Sequence, residues 1–161
     1  MIIRLSSKLA GRIKARVTTT MPADPKPLAD WSAHVFTADR TPYILITNTA
    51  SLYSVVMLAR GVTNDASLIT RAVSCLGEQM ADDNLQAPFL SVVKPSSAAV
   101  NFSKALNRSV TGSMNDLVFH AKVWLIEANL SPCDTAIKLN NIPFSALNYL
   151  KPREVFAGLA K

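Results

Sequence analysis

Apolar positions in the first half of the chain fall in short runs of strand character. Met1-Ile2-Ile3-Arg4-Leu5 reads as a first strand, and residues 31–36 and 43–47, rich in aromatic and β-branched side chains, read as a hairpin around a turn at 38–42. Residues 52–58 extend that hairpin into a meander. Between the first strand and the hairpin, residues 18–30 carry Pro22, Pro25 and Pro27 without any period, which makes them a loop.

The second half changes to helical spacing. Asn64 is placed as an N-cap before Leu68, Ile69, Ala72, Val73, Leu76 and Met80, a pattern that stops at Asp82-Asp83-Asn84. Residues 88–93 and 98–102 read as a short strand pair turning at 94–97. Ser113 and Asp116 have the spacing of a capping box ahead of an apolar run, so a helix is expected to start there. Ser131-Pro132 combines a capping hydroxyl with a proline at the first helical position, opening another helix. A helical turn at 145–149 and a terminal helix at 152–159 complete the pattern.

Segregation of strands from helices predicts one α+β domain over residues 1–161, with a mainly antiparallel sheet from the N-terminal half and helices packed on one face. A length of 161 residues at 49% hydrophobic composition suits a single core. On a helical wheel, Met114, Leu117, Val118, Ala121, Trp124, Leu125 and Ala128 make one apolar face, while Phe119, Val123 and Ile126 make a second. Two such faces predict a central helix covered on more than one side. Two polar strips separate them, Asn115 with Lys122 and Asp116 with His120 and Glu127.

The formal net charge of +6 is local. Arg4, Lys8, Arg12, Lys14 and Arg16 all precede the first acid, Asp24, and the rest of the chain is close to neutral. Leu5, Leu9, Ile13 and Val17 recur every fourth residue, so this segment is a short basic amphipathic element, suited either to a solvated helix face or to phosphate binding. A cleaved leader would not need the first strand and is disfavoured. Charged residues punctuate every apolar run, which predicts a soluble chain without a membrane span. Cys75 and Cys133 form no CxxC pair and suit a reducing, cytoplasmic setting.

For catalysis, the strongest arrangement is Asp116 four residues before His120, where a carboxylate can orient an imidazole, with Arg108 near the helix start to hold an anion. Helix capping by Asp116 and packing of His120 explain the same residues without chemistry. His34, between Ala33 and Val35 on a strand, faces solvent or a groove if those neighbours face the core. No GxxxxGK[ST], GxGxxG, GxSxG or HExxH occurs, and no set of ligands has metal spacing, so no cofactor and no metal are expected.

Taken as a set, Met1-Ile2-Ile3-Arg4, Asp30-Trp31-Ser32-Ala33-His34, Ile46-Thr47-Asn48 with Leu52-Tyr53-Ser54, Arg108-Ser109-Val110-Thr111-Gly112-Ser113-Met114-Asn115-Asp116 and Ile142-Pro143-Phe144-Ser145 resemble a family of small uncharacterised bacterial domains of unknown function. The resemblance spans nearly the whole chain. It implies one compact unit of bacterial or bacteriophage source and supplies no catalytic residue.

The expectation that follows is a non-enzymatic interaction domain binding nucleic acid or an acidic protein. Arg4, Lys8, Arg12, Lys14, Arg16, Asn115 and His34 are its candidate contacts. The alternative is a small hydrolase or nuclease using Asp116, His120 and Arg108. An accessory protein that packs on a partner through aromatics of the meander is a third reading.

Overall fold

The computed structural model describes residues 1–161. In chain order its elements are β1 (Ile2–Leu5), α1 (Ser7–Arg12), β2 (Asp30–Ala38), β3 (Thr41–Asn48), β4 (Ser54–Leu58), α2 (Asp65–Asp82), α3 (Gln86–Pro88), a π-helical turn (Phe89–Val93), α4 (Lys94–Ser96), β5 (Asn101–Ser103), α5 (Arg108–Ile126), α6 (Pro132–Asn141) and α7 (Pro152–Leu159). Single 3₁₀ turns lie at Pro27–Ala29 and Ser145–Leu147. No helix is long and apolar enough to cross a membrane.

The fold is α+β, built on one five-stranded sheet in the order β4-β3-β2-β1-β5. The meander β2-β3-β4 is antiparallel, as the hairpin and its extension predict. Its first turn is tighter than 38–42, because Asp39 and Arg40 alone make it, with φ of 47° and 64°. Positive φ at both central residues matches the turn twist to the strands. β1 runs parallel to both β2 and β5. Parallel neighbours need a crossover, and α1 with the proline-bearing segment after it serves as that crossover from β1 to β2.

Helices cover both faces of the sheet, not one. Ile44, Ile46, Val55 and Met57 join a core with Leu9, Leu68, Leu76, Met80, Phe89 and Phe156, whereas Leu45 and Val56 join a second core with Met114, Leu117, Ala121 and Leu139. The cause is visible in the continuous apolar run at 43–46: a strand buried on both sides has no polar position to offer water.

Helix α2 begins at Asn64 as expected, and Asn64 and Ser67 cap each other reciprocally. Gly77 lets the Phe89 ring approach so closely that an added Cβ would lie 2.9 Å from its Cζ. The strand pair expected at 88–93 and 98–102 does not form. Residues 86–96 are helical, because Pro88 and Pro95 have no N–H for a ladder and Phe89 and Val93, four apart, both turn inward. Only β5 survives from the second run, and it pairs with β1.

Helix α5 starts five residues before Ser113. Asn107, with an extended backbone, accepts the Val110 N–H at 3.0 Å, so the capping-box spacing of Ser113 and Asp116 lies inside the helix and caps nothing. Nor is α5 covered on its second face: Phe119 is 65% and Ile126 49% exposed, while Met114, Leu117, Ala121 and Leu125 pack on the sheet. Ser131 and Pro132 do open α6. In α7, Phe156 is buried against Trp31 and Tyr53, with ring centroids 5.9 and 4.8 Å away.

Candidate anion-binding site

The basic N-terminal segment is not one surface. Arg4 sits on β1, an interior strand between β2 and β5, where its Nε and Nη2 donate to Asp30 Oδ1 and Oδ2 at 2.8 and 2.7 Å. Its remaining donors reach the carbonyls of Met21 and Pro22 and the Ser103 hydroxyl. All five N–H groups are spent inside the protein, so Arg4 is no partner contact. Its charge leaves water only because a bidentate carboxylate and two carbonyls replace that water. Arg12 is half-buried and donates to the carbonyls of Val62 and Ala59 at 3.1 and 2.9 Å, tying α1 to the segment after β4. Lys8, Lys14 and Arg16 are the exposed members.

Of these, Lys8 meets two other expected residues in one place. A groove of about 490 Å³ runs between the start of α1, the outer part of β2 and α5. Alternation along β2 sends Trp31 and Ala33 into the first core, which turns His34 and Phe36 to the other face. His34 therefore lines the groove, with Ser6, Ser7 and Lys8 on one side and Asn115, Val118 and Lys122 on the other. Asn115 and Lys122 are the polar strip of α5 read from the wheel, seven residues apart and on one side of the helix. Lys122 was not singled out by sequence alone; its place on that strip was the signal.

No carboxylate lines this groove. Two ammonium groups, an amide, hydroxyls and an imidazole make a donor-rich concavity, which suits a phosphate or carboxylate group. Burial lowers the His34 pKa from its ordinary 6.5, so near neutral pH the ring is uncharged and offers one donor and one acceptor. The Ser6 hydroxyl accepts the Leu9 N–H at 3.3 Å as the cap of α1 and makes no hydrogen bond to His34.

The trio Arg108, Asp116 and His120 is not assembled. Arg108 opens α5, and twelve residues at about 1.5 Å each put His120 roughly 18 Å along the axis. Asp116 is exposed, and it makes neither a hydrogen bond nor an ion pair with His120. The imidazole instead stacks on Trp124 at a centroid distance of 5.8 Å and meets the Phe144 ring edge-on at 5.9 Å. Packing in an aromatic cluster accounts for His120. Ser109, Val110 and Ser113 face a small cleft against Thr49, Leu52 and Leu147, so the polar start of α5 joins it to the turn before β4. No cluster of three His, Cys, Asp or Glu side chains is placed to hold a metal ion.

The family model described as Domain of unknown function (DUF6933) matches residues 2–155. No curated protein and no solved structure matches the chain.

Proposed function

Because the chain belongs to this family of domains of unknown function, we propose from its own residues that it is a non-enzymatic interaction domain whose groove between α1 and α5 binds the phosphates of a nucleic acid. One observation supports this reading above the rest: Lys8, His34, Asn115 and Lys122 line the same concavity and no acid opposes them. Phosphate contacts of this kind give salt-dependent affinity without base readout. An acidic protein would use the same side chains, but its carboxylates spread over a surface, whereas these donors converge in a concavity.

Fluorescence anisotropy with generic single-stranded RNA and duplex DNA, at 50 and 200 mM salt, tests the proposal. Binding at low salt that weakens at high salt is expected, and Lys8→Ala with Lys122→Ala should weaken it at least tenfold. The paired control Lys14→Ala with Arg16→Ala should leave most of it. Absence of binding at 50 mM salt overturns the nucleic-acid reading, and equal losses in the two double variants overturn the groove as its seat.

A further inference from the structure

A second groove lies along the β4 edge of the sheet. Strand β4 is an edge strand, and its backbone groups alternate between β3 and the outside. Asn48 N–H donates to Tyr53 C=O and Ala59 N–H to Pro42 C=O, which fixes Tyr53, Val55, Met57 and Ala59 as the residues bonded toward β3. Ser54, Val56 and Leu58 therefore point their N–H and C=O groups away from the sheet.

These three are treated differently. The Asn140 side chain takes both groups of Ser54, accepting its N–H at 2.7 Å and donating to its carbonyl at 2.9 Å, as a neighbouring strand would. Arg71 donates to the Leu58 carbonyl at 3.0 Å. Val56 N–H, Val56 C=O and Leu58 N–H have no partner in the protein. All three lie along a groove of about 490 Å³, walled by α2 on one face and α6 on the other and lined by Val56, Met57, Cys75, Pro132, Cys133 and Ala136. Burial pushes both thiols up, so they are neutral walls at ordinary pH.

Unpaired ladder groups in an apolar groove are the arrangement that accepts an added strand. Neither a lysine nor a proline interrupts residues 55–58; α6 takes the edge at Ser54, and beyond it Cys133 Sγ of α6 meets Gln79 Oε1 of α2 at 3.9 Å across the groove, a weak side-chain contact that an added strand displaces. The charges around the groove are ordered. Arg60, exposed and with its guanidinium unbonded, stands beyond the C-terminal end of β4, and Glu78 stands on α2 further along the wall.

We propose that this groove binds an extended peptide as a sixth, antiparallel strand beside β4, with an acidic residue at the peptide's N-terminal end against Arg60 and a basic one toward Glu78. The antiparallel sense continues the β2-β3-β4 meander. One peptide residue exchanges two hydrogen bonds with Val56, and the residue two before it accepts the Leu58 N–H. The strand lies about 4.8 Å from β4, and short β-branched side chains enter between the helices. This site is separate from the groove at Lys8 and His34 and does not rest on the reading made of it.

The probe is acetyl-Asp-Val-Thr-Val-Thr-Lys-amide, added to the intact protein and followed by NMR. Saturating peptide is expected to slow amide exchange at Val56 and Leu58 at least tenfold. N-methylation of the peptide's fifth residue should weaken binding at least tenfold, as should Arg60→Glu, an exposed change that leaves the fold intact. The proposal is overturned by no binding at millimolar peptide, by binding with unchanged exchange at Val56 and Leu58, or by equal affinity for the N-methylated peptide. Light scattering that reports a dimer held through β4 would make a second copy the occupant and also overturn it.

Discussion

The two faces of the sheet are built from the same strands and solve different problems. On the face under α2 and α7, the core is apolar apart from the rims of two aromatic rings: Ile44, Ile46, Leu68, Leu76 and Phe156 close it, while Trp31 Nε1 donates to the Leu28 carbonyl and the Tyr53 hydroxyl to Asp83. The opposite face is apolar only beneath α5 and α6. Across β1, β2 and β5 it carries Arg4, Asp30, Ser32 and Ser103, all buried, and then His34 at the groove. Apolar burial is undirected and tolerates repacking, whereas buried polar groups hold only while every partner stays in place. The first face supplies stability and the second specifies which strand lies beside which, since Arg4 binds groups from β2, from β5 and from the loop between β1 and β2 at once.

The largest test of that contrast is Arg4→Met. It leaves Asp30 buried without its cation and should cost about 3–5 kcal/mol in urea unfolding. Pairing it with Asp30→Leu should recover much of the loss, because the orphaned charge is then gone. Full recovery would show that the ion pair adds no net stability. On the first face, Gly77→Ala drives a methyl into the Phe89 ring and should cost about 1–3 kcal/mol by thermal unfolding, despite the better helix propensity of alanine. A gain in stability there would mean that the apolar face yields more readily than its packing implies.

The smallest effect concerns pH. His34 has a lowered pKa in the folded protein, so as pH falls through 6.5 the unfolded chain takes up a proton that the folded chain refuses. Its contribution is therefore neutral above 6.5 and destabilising below it. Urea midpoints should fall as pH is lowered through 6.5, and His34→Gln should flatten that slope. Lys8 and Lys122 line the same groove, and an anion bound there would favour the charged form of the ring. Anion affinity should accordingly rise as pH falls.

Local signals were readable where the deciding group lay next to the pattern it caps. Asn64 and Ser131 sit at the boundary of an apolar period, and their helices start there. For α5, the Ser113 and Asp116 spacing imitated a start, while Asn107, an equally good cap six residues earlier, held the real one. Gly112 in between obscured this, since glycine in a helix is unfavourable by about 1 kcal/mol relative to alanine and reads as a boundary. Residues 88–93 were too short a run to separate strand from helix, although Pro88 and Pro95 argued against a ladder. Coverage of both sheet faces was written in the unbroken apolar run at 43–46.

At the candidate site, sequence named Lys8, His34 and Asn115 separately. Their convergence depends on α5 crossing the outer part of β2, a contact between distant segments that no window of the chain contains. Arg4 was misplaced for the opposite reason. Four neighbouring cations made it look like part of a surface, and only the pairing of β1 between β2 and β5 shows that it had to be buried. Several residues in the motifs of resemblance, among them Arg4, Asp30, Asn48 and Ser54, hold backbone and ion-pair bonds inside the fold.

The interior position of β1, between β2 and β5, also sets an order of events in time. The meander β2-β3-β4 joins segments that follow one another closely and forms early, as local contacts do. β1, made first, gains one neighbour when residues 30–33 arrive and its second only at residues 101–103. Until those residues are made, β1 waits with one side bare, and the Arg4 side chain is complete only when Ser103 reaches it. Nascent chains arrested before β5 should be the aggregation-prone intermediates of this protein.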